Sequence, residues 1–310
     1  MDGILNINKP QDLTSFDIVA RVRRITRERH TGHAGTLDPL ATGVLPICLG
    51  KATRIIEYLF NETKTYRAEI QMGITTDSYD STGQVLKTAD SSGVTREQVE
   101  AVLAAFRGSI LQTPPMYSAL KYKGTPLYKL AREGIEVERQ SRPVHIYKLE
   151  IIDWHPPYFG LEVICGKGTY IRSLAQDIGQ GLGCGAVMKN LVRTRVGPFS
   201  LAESITLEQL QEKVSKGCAE HYLYPPDYAL QSFDVIIVNH EQQCSLIHGM
   251  PISLESNSID IKPAAVSRVY NQDGAFVGMV EYDAANLRWQ PHKIFLQKCC
   301  EQPSSAPFEF

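Results

Sequence analysis

Residues 32–46, GHAGTLDPLATGVLP, hold one acid, Asp38, in a polar, glycine-rich segment whose far side is apolar and proline-rich. Glycine permits positive φ and close approach of the backbone to a ligand, while Pro39 fixes its own φ and pushes Asp38 towards an extended conformation. The stretch therefore predicts a rigid loop that presents a single carboxylate. An isolated Asp-Pro pair is usually an ordinary turn, so the interpretation of Asp38 depends on the segments around it.

Two further segments accompany this loop, Asn8-Lys9-Pro10 upstream and KGTYIR at residues 167–172 downstream. In order and spacing, the three segments closely resemble the bacterial tRNA pseudouridine-55 synthase (TruB) family. The resemblance runs over residues 3 to about 200 and continues more weakly to the C-terminus. It implies an isomerase that converts uridine 55 in the T-loop of tRNA to pseudouridine, with Asp38 as the catalytic aspartate.

The composition predicts a cytoplasmic protein of two domains. At 310 residues and 43% hydrophobic, the chain is long enough for a sizeable core. No run approaches the roughly 18 apolar residues of a membrane span, and the N-terminus lacks the pattern of a secretory signal. Its seven cysteines include no C-x-x-C pair, which fits reduced thiols better than a disulfide framework or a zinc site. The adjacent Cys299 and Cys300 are interpreted as incidental.

The distribution of charge matters more than the net charge of −2, which by itself argues mildly against a nucleic-acid binder. Residues 21–29 hold five arginines against one glutamate, and Lys189, Arg193 and Arg195 form a second basic cluster. Either cluster could follow a phosphate backbone. Taken alone, each is equally well explained as an ordinary solvated surface.

Hydrophobic periodicity predicts alternating helices and strands. Strands are predicted at residues 4–8, 45–49, 66–72, 144–152 and 161–165, and helices at residues 14–29 and 95–106, after Gly168, and from Thr206. Thr14 with Asp17 and Thr95 with Gln98 are candidate capping boxes. With the resemblance, these patterns imply an α+β catalytic domain over residues 1–232, with a mixed, mainly antiparallel sheet and flanking helices.

Two more regions are set apart by composition. Residues 112–142 are basic and interleaved with tyrosines, which suits contact with a nucleic-acid backbone and its bases; the resemblance implies that they form a thumb that closes on RNA. After the linker-like Tyr224-Pro225-Pro226-Asp227, short apolar pieces predict a small β domain at residues 233–310. The resemblance implies that this domain is a PUA-like RNA-binding β-barrel.

The family resemblance also implies roles for individual side chains. Arg172 would be the partner of Asp38, Tyr66 would stack on the target base at the catalytic centre, and Tyr170 and Leu191 would line the uridine pocket. Lys9 would lie beside the active centre, and His33 could fill the space that the flipped base leaves. A surface lysine and a surface arginine are the ordinary interpretations of Lys9 and Arg172 without the family match.

Pseudouridylation detaches uracil at N1 and rejoins it at C5, so it conserves atoms and oxidation state and requires no cofactor or metal. A carboxylate kept ionised by an arginine can act as the nucleophile; the residues leave open whether Asp38 attacks the sugar or the base. The expected partner is the T-arm of tRNA, bound by a monomer with no obligate protein partner. The main alternative is a tRNA-folding chaperone with secondary chemistry, whereas a glycosidase would require a second paired acid.

Overall fold

The computed structural model describes residues 1–254 and 262–296 and divides the chain into two compact units. The first unit is Met1–Tyr224, and the second begins at Pro225. The predicted boundary, after residue 232, lies within the second unit. Cys299 and Cys300 lie outside the described residues. Within the described ranges, no helix has both the length and the apolar character that a bilayer crossing requires.

The first unit contains most of the secondary structure. Its strands are β1 (Gly3–Lys9), β2 (Thr31–His33), β3 (Thr42–Leu49), β4 (Lys64–Met72), β5 (Ile74–Thr76), β6 (Val85–Thr88), β7 (Gly108–Gln112), β8 (Lys121–Tyr122), β9 (Thr125–Pro126), β10 (Arg142–His155), β11 (Tyr158–Cys165), β12 (Ala186–Val196), β13 (Phe199–Ser200) and β14 (Leu223–Tyr224). Its helices are α1 (Ser15–Thr26), α2 (Ile56–Asn61), α3 (Arg96–Leu103), α4 (Leu127–Arg132), α5 (Ile171–Leu182) and α6 (Leu207–Ser215).

One large sheet forms the framework of this unit. Its strand order is β14-β1-β3-β12-β4-β11-β10-β7, with β2 added beside β3 and β13 beside β12. The pair β3–β12 is parallel, and the other described pairs of this sheet are antiparallel. The predicted α+β fold with a mixed, mainly antiparallel sheet is therefore confirmed.

The hydrophobic core lies on one face of the sheet. Because successive strand residues point to opposite faces, β4 buries Tyr66, Ala68, Ile70 and Met72 on that face. Helices α1, α3, α5 and α6 contribute their apolar residues to the same core. The predicted alternation of residues 66–72 is confirmed, and it fixes the face from which Tyr66 projects.

Local signals correctly placed the starts of α1 and α3, whereas α2 and α4 were not predicted. The Thr14 hydroxyl accepts from the Asp17 amide and the Asp17 carboxylate accepts from the Thr14 amide, so the predicted capping box begins α1. The Thr95–Gln98 pair begins α3 in the same way. Each box satisfies amides that the first turn of a helix leaves without partners.

The segment predicted to be a thumb leaves the sheet and returns to it at facing positions. Gln112 at the end of β7 and Arg142 at the start of β10 are opposite each other in register. Between them lie the short β8–β9 hairpin and helix α4. The insertion therefore projects from one edge of the sheet, and its role as a thumb stays a prediction.

The second unit is a small sheet with one helix. Its elements are β15 (Asp234–Val238), α7 (His240–Ile247), β16 (Val266–Asn271), β17 (Phe276–Asp283) and β18 (Arg288–Ile294). The strands follow the order β15-β16-β17-β18, and β15 is parallel to β16. In the described ranges these strands do not close into a barrel, so the coarser prediction of a β-rich domain holds and the barrel stays a prediction.

Two features of this unit depart from the short strands that its apolar pieces predict. Residues 249–252 do not form a strand, although Ile252 makes an isolated bridge to Trp289. The sequence analysis did not predict helix α7. Asn239 and Gln242 form a capping box at its start, and their Asn-x-x-Gln spacing is a sequence signal for one. Its apolar residues are too few to give a clear helical period, which explains the omission.

We predict that Gly43→Ala destabilises the first unit by roughly 2–4 kcal/mol. Gly43 has φ of +100°, and an added Cβ would lie 2.3 Å from the Arg193 carbonyl oxygen on the neighbouring strand. The matched control is Gly93→Ala, because no heavy atom lies within 4 Å of the Cβ added there. Urea unfolding of both variants measures the effect. Equal free energies of unfolding for Gly43→Ala and Gly93→Ala would contradict the prediction.

Candidate active site

The candidate catalytic loop, residues 34–41, connects β2 to β3. Along one edge of β3, the neighbouring strand changes from β12 to β2. The opposite edge of β3 pairs with β1. The first edge pairs with β12 at Thr42 and Gly43, and with β2 at residues 47–49. The sheet therefore opens between β2 and β12, and the loop leaves the sheet beside this opening.

The buried side chain of Arg193, on β12, occupies the opening between β2 and β12. Its side chain is 1% exposed, its Nε donates to the Val44 carbonyl at 2.7 Å, and its Nη2 donates to the Gly35 carbonyl at 3.1 Å. A buried guanidinium is costly unless its N–H groups find acceptors, so these bonds fasten the loop to β3. The sequence left two interpretations open for the cluster of Lys189, Arg193 and Arg195, a phosphate-binding surface and an ordinary solvated surface. Neither applies to Arg193, because its side chain is buried.

Lys9 and Ser15 hold the other side of the loop. Lys9 is fully buried, and its Nζ donates to the carbonyls of Pro10, Leu13 and Pro39 at 2.9, 2.6 and 3.2 Å. Ser15 Oγ accepts from the Leu37 amide at 2.8 Å and donates to the Leu37 carbonyl at 3.2 Å. Leu37, before Asp38, is thus fixed to the beginning of α1, and Pro39, after it, to the end of β1.

Asp38 itself opens a turn and points its carboxylate at α5. Its carbonyl accepts from the Ala41 amide at 3.1 Å, with Pro39 at the second position of the turn, which its fixed φ favours. Arg172 in the first turn of α5 donates from Nε to Oδ2 at 2.8 Å and from Nη2 to Oδ1 at 2.9 Å. The predicted pair is therefore joined in a bidentate ion pair across 134 residues of sequence.

The remaining groups around Arg172 hold it in place. Its Nη1 donates to the Ser78 carbonyl at 3.3 Å, and its Nη2 also donates to the Tyr117 carbonyl at 2.8 Å. The buried Asp80 places a second carboxylate 3.8 Å from Nε. The Arg172 side chain is 3% exposed whereas that of Asp38 is 34% exposed, so the base of the site is fixed and the carboxylate stays accessible.

Asp38 lies in a cavity of about 520 Å³. Five of the predicted site residues line it, namely Asp38, Tyr66, Tyr170, Arg172 and Leu191. Lys9 and His33 do not line it, although His33 is close in sequence to Gly35, which does. Burial raises the pKa of the Tyr66 and Tyr170 phenols, so both rings stay neutral at physiological pH.

Lys9 and His33 occupy the surroundings of the loop instead. Lys9 has its three hydrogen bonds on backbone carbonyls, so it supports the loop rather than facing the cavity. His33 lies in β2 opposite Ile47, and its Nδ1 is buried without a hydrogen-bond partner in the described structure. Burial and the charge of Arg193 lower the pKa of His33, which favours the neutral ring.

Several residues that shape the site were missed by sequence reasoning. Gln112 bonds with both backbone groups of Tyr170, at 2.7 Å to the amide and 3.0 Å to the carbonyl. Lys64 lines the cavity and donates to three carbonyls at the end of α2, and burial lowers its pKa to about 8. The alternation of side chains along β12 could have shown that Arg193 lies on the same face of the strand as Leu191. No pattern in the neighbouring sequence indicates that Gln112 or Asp80 belongs to the site.

Among the described residues, no group of three or more histidine, cysteine, aspartate and glutamate side chains is arranged to hold a metal ion. The cavity combines one accessible carboxylate with buried cations and aromatic rings. This arrangement suits an anionic substrate that carries a planar group, with a reaction that depends on the carboxylate.

Comparison with known proteins agrees with the geometry. The family model described as TruB family pseudouridylate synthase (N terminal domain) matches residues 23–171, and that of the tRNA pseudouridylate synthase B C-terminal domain matches residues 172–231. A tRNA pseudouridine synthase B from Dehalococcoides mccartyi is 46% identical over 96% of this chain and 98% of its own. One from Clostridium acetobutylicum is 46% identical over 90% of this chain and 95% of its own.

Among solved structures, a chain of a Cbf5-Nop10-Gar1 complex is similar at a TM-score of 0.73 and 26% identity, over 96% of this chain and 84% of that one. Such matches along nearly the whole length show the family. The chain belongs to the TruB family of pseudouridylate synthases.

We predict that the stabilising effect of Lys9 depends on pH. Burial lowers the pKa of Lys9 from 10.5 to about 8, so between these values the folded protein binds fewer protons than the unfolded chain. The free energy of unfolding therefore rises with pH across this window. Relative to Lys9→Met, the wild type should gain roughly 1–3 kcal/mol between pH 8 and 10.5.

Urea unfolding of the two proteins at several pH values measures this difference. The comparison cancels the other titrating groups, including Lys64, because both proteins contain them. A stability difference that stays constant from pH 8 to 10.5 would show that Lys9 keeps its ordinary pKa.

Proposed function

We propose that this protein is a tRNA pseudouridine synthase that isomerises uridine 55 in the T-loop of tRNA. The bond between N1 and the ribose breaks, the uracil turns, and C5 joins the ribose while the proton of C5 is lost and N1 becomes protonated. No atom is gained and no electron leaves the nucleoside. The observation that carries the proposal is the Asp38–Arg172 ion pair at the base of the cavity, in a chain of this family.

Asp38 is the proposed catalytic carboxylate. Arg172 donates to both of its oxygens and fixes their positions, and a nucleophile or a charge-stabilising group must be held in place in this way. The 34% exposure of the Asp38 side chain leaves it open to the ribose or the base of a bound nucleotide. Asp80 balances the charge of Arg172 from the protein side and acts through that residue.

Tyr66, Tyr170 and Leu191 form the proposed uridine pocket. A base that lies inside a folded RNA loop must be flipped out before an enzyme can act on it. The cavity of about 520 Å³ is within the range of small-molecule pockets. Tyr66, held in the core by β4, would stack on the uracil, while Tyr170 and Leu191 would enclose its edges.

His33 and Lys9 have supporting roles in this proposal. The neutral imidazole of His33, on β2 beside the loop, would occupy the space in the RNA that the flipped base leaves. Lys9 would act on the substrate through the loop, since its Nζ binds the carbonyl of Pro39, the residue after Asp38.

We propose that the T-arm of tRNA is also bound by the thumb of residues 112–142 and by the C-terminal unit, as a PUA-like barrel. Every residue named in the pocket belongs to the unit Met1–Tyr224, so one chain supplies the whole cavity and a monomer suffices. No cofactor or obligate protein partner enters the reaction. A tRNA substrate accords with a cytoplasmic location.

A tRNA-folding chaperone would use the same basic surfaces. It has no need of a carboxylate that a buried arginine holds at the base of a cavity, so the ion pair favours the synthase. The two functions differ in whether Asp38 is required.

We predict that Asp38→Asn abolishes isomerisation and retains tRNA binding. Asn has nearly the same size and can still accept a bond from Arg172, so the loop should keep its conformation. A neutral amide cannot replace a nucleophilic or charged carboxylate, and the rate should fall at least about 10⁴-fold. Pseudouridine mapping on an unmodified tRNA transcript, together with filter binding, measures both effects.

The matched control is Asp90→Asn, a change of the same kind at an exposed turn that bonds only with Ser92. It should leave product formation unchanged. Near-normal product from Asp38→Asn would falsify the catalytic assignment, and lost affinity in a folded variant would make Asp38 a structural residue.

We predict that removal of the C-terminal unit weakens tRNA binding and leaves turnover at saturating RNA. The truncation should follow Tyr224, because Asp227 accepts a 2.7 Å bond from Tyr270 and so belongs to the second unit. The loss should be about 10- to 100-fold in affinity if this unit makes several phosphate contacts. Single-turnover rates decide the matter, since complete loss of chemistry in a folded truncated protein would place part of the active site in the second unit.

A further inference from the structure

The exposed side of helix α1 carries a basic cluster at its C-terminal end. Arg23, Arg24 and Arg27 are exposed, and the ring of Phe16 near the beginning of the helix is 72% exposed. The opposite side of α1 buries Ile18, Val19 and Val22 in the core. Phe16 and Arg23 are seven residues apart, which places them almost in line along the helix at 3.6 residues per turn. We call Phe16, Arg23, Arg24 and Arg27 the α1 face.

The arginines of the α1 face have no protein partner. Across residues 1–254 and 262–296, none of the three donates a hydrogen bond to, or forms an ion pair with, another side chain. The nearby acids are already engaged: Asp17 caps the helix with Thr14, and Glu28 accepts from the N-terminal amine at 2.9 Å. Three unpaired guanidinium groups on one helix create a local positive field, although the net charge of the chain is −2.

The α1 face begins at the catalytic loop. Ser15, the residue before Phe16, makes both of its hydroxyl hydrogen bonds with Leu37, which directly precedes Asp38. Helix α1 has 12 residues and is therefore about 18 Å long. It extends from the loop over a distance that covers several phosphates of a nucleic-acid strand.

We propose that the α1 face is a second RNA-binding surface, on which the tRNA backbone next to the flipped uridine lies. Arg23, Arg24 and Arg27 pair with phosphates, and Phe16 stacks on an unpaired base close to the pocket. This inference rests on the proposed function. An exposed phenylalanine alone would be unremarkable, but an exposed ring at the loop end of a helix whose other end carries three arginines gives the combination that single-stranded RNA favours.

RNA fits this surface better than an acidic protein would. Arg23 and Arg24 lie in the last turn of α1 and Arg27 is its C-cap residue, so the charges are gathered at one end of the helix. Phe16, the large apolar side chain exposed on this helix, lies near the other end, so the arginines do not surround an apolar patch. A protein interface normally centres on a buried apolar cluster. A cluster of guanidinium groups at the end of a helix whose first residue contacts the catalytic loop instead suits the charge of a phosphate backbone that passes the site.

The test measures binding of an unmodified tRNA transcript at several salt concentrations. Arg23→Glu/Arg24→Glu should weaken binding at least about tenfold at moderate salt and lower the log–log salt slope by about 1.4–1.8, because two phosphate contacts are lost. Arg23→Lys/Arg24→Lys keeps the charge and should keep most of the slope. Phe16→Ala should weaken binding about five- to tenfold with little change in the slope.

The matched control is Arg96→Glu, which makes the same change of charge at an exposed position on α3. Its salt slope should equal that of the wild type. Thermal unfolding establishes that each variant is folded. The inference is wrong if the double Glu variant binds tRNA like the wild type, or if Arg96→Glu weakens binding equally, which would indicate a general effect of net charge.

Failure of this inference is distinguishable from failure of the proposed function. If the wild type forms pseudouridine and the α1 variants bind normally, only the α1 face is excluded, and another polyanion would have to be sought for it. If the wild type binds tRNA but forms no pseudouridine, the proposed function fails whatever the variants show.

Discussion

The buried guanidinium of Arg172 is the constraint on which the arrangement of the site depends. A charge that is only 3% exposed must be paired, and its partner, Asp38, comes from a loop 134 residues away. Buried ion pairs contribute little net stability compared with apolar packing, yet removal of one partner commonly costs about 3–5 kcal/mol. The pair therefore specifies geometry: α5, the sheet and the loop must meet correctly for the charge to be satisfied.

The loop that carries Asp38 is made rigid by the same principle. The ammonium of Lys9, the hydroxyl of Ser15 and the guanidinium of Arg193 are all buried, and each meets its hydrogen-bonding needs on backbone groups in or next to the loop. Because each unmade bond would leave a polar group buried without a partner, alternative loop conformations are disfavoured from both sides. Preorganisation of this kind is what an active site requires.

Patterns in the sequence predicted the elements whose periodicity is local. The alternation of β4 and the capping box of α1 involve residues a few positions apart, so their physical causes are visible in the chain. The meeting of Asp38 with Arg172 is a property of the folded sheet, and only the resemblance to a family indicated it. Arg193 was misjudged because a basic residue in a strand is usually exposed, and its acceptors, Gly35 and Val44, are about 150 positions away.

The hydrogen bonds of Arg172 also explain how a cationic site could admit RNA without breaking the Asp38–Arg172 ion pair. A guanidinium has five N–H donors, and four of the hydrogen bonds of Arg172 go to Asp38, Ser78 and Tyr117. A substrate phosphate would therefore find few free donors there and would have to break several bonds in a buried place. Exposed arginines such as Arg23 remain available for phosphates. Burial thus separates the guanidinium that holds the Asp38 carboxylate from the exposed guanidinium groups that are free to meet a phosphate.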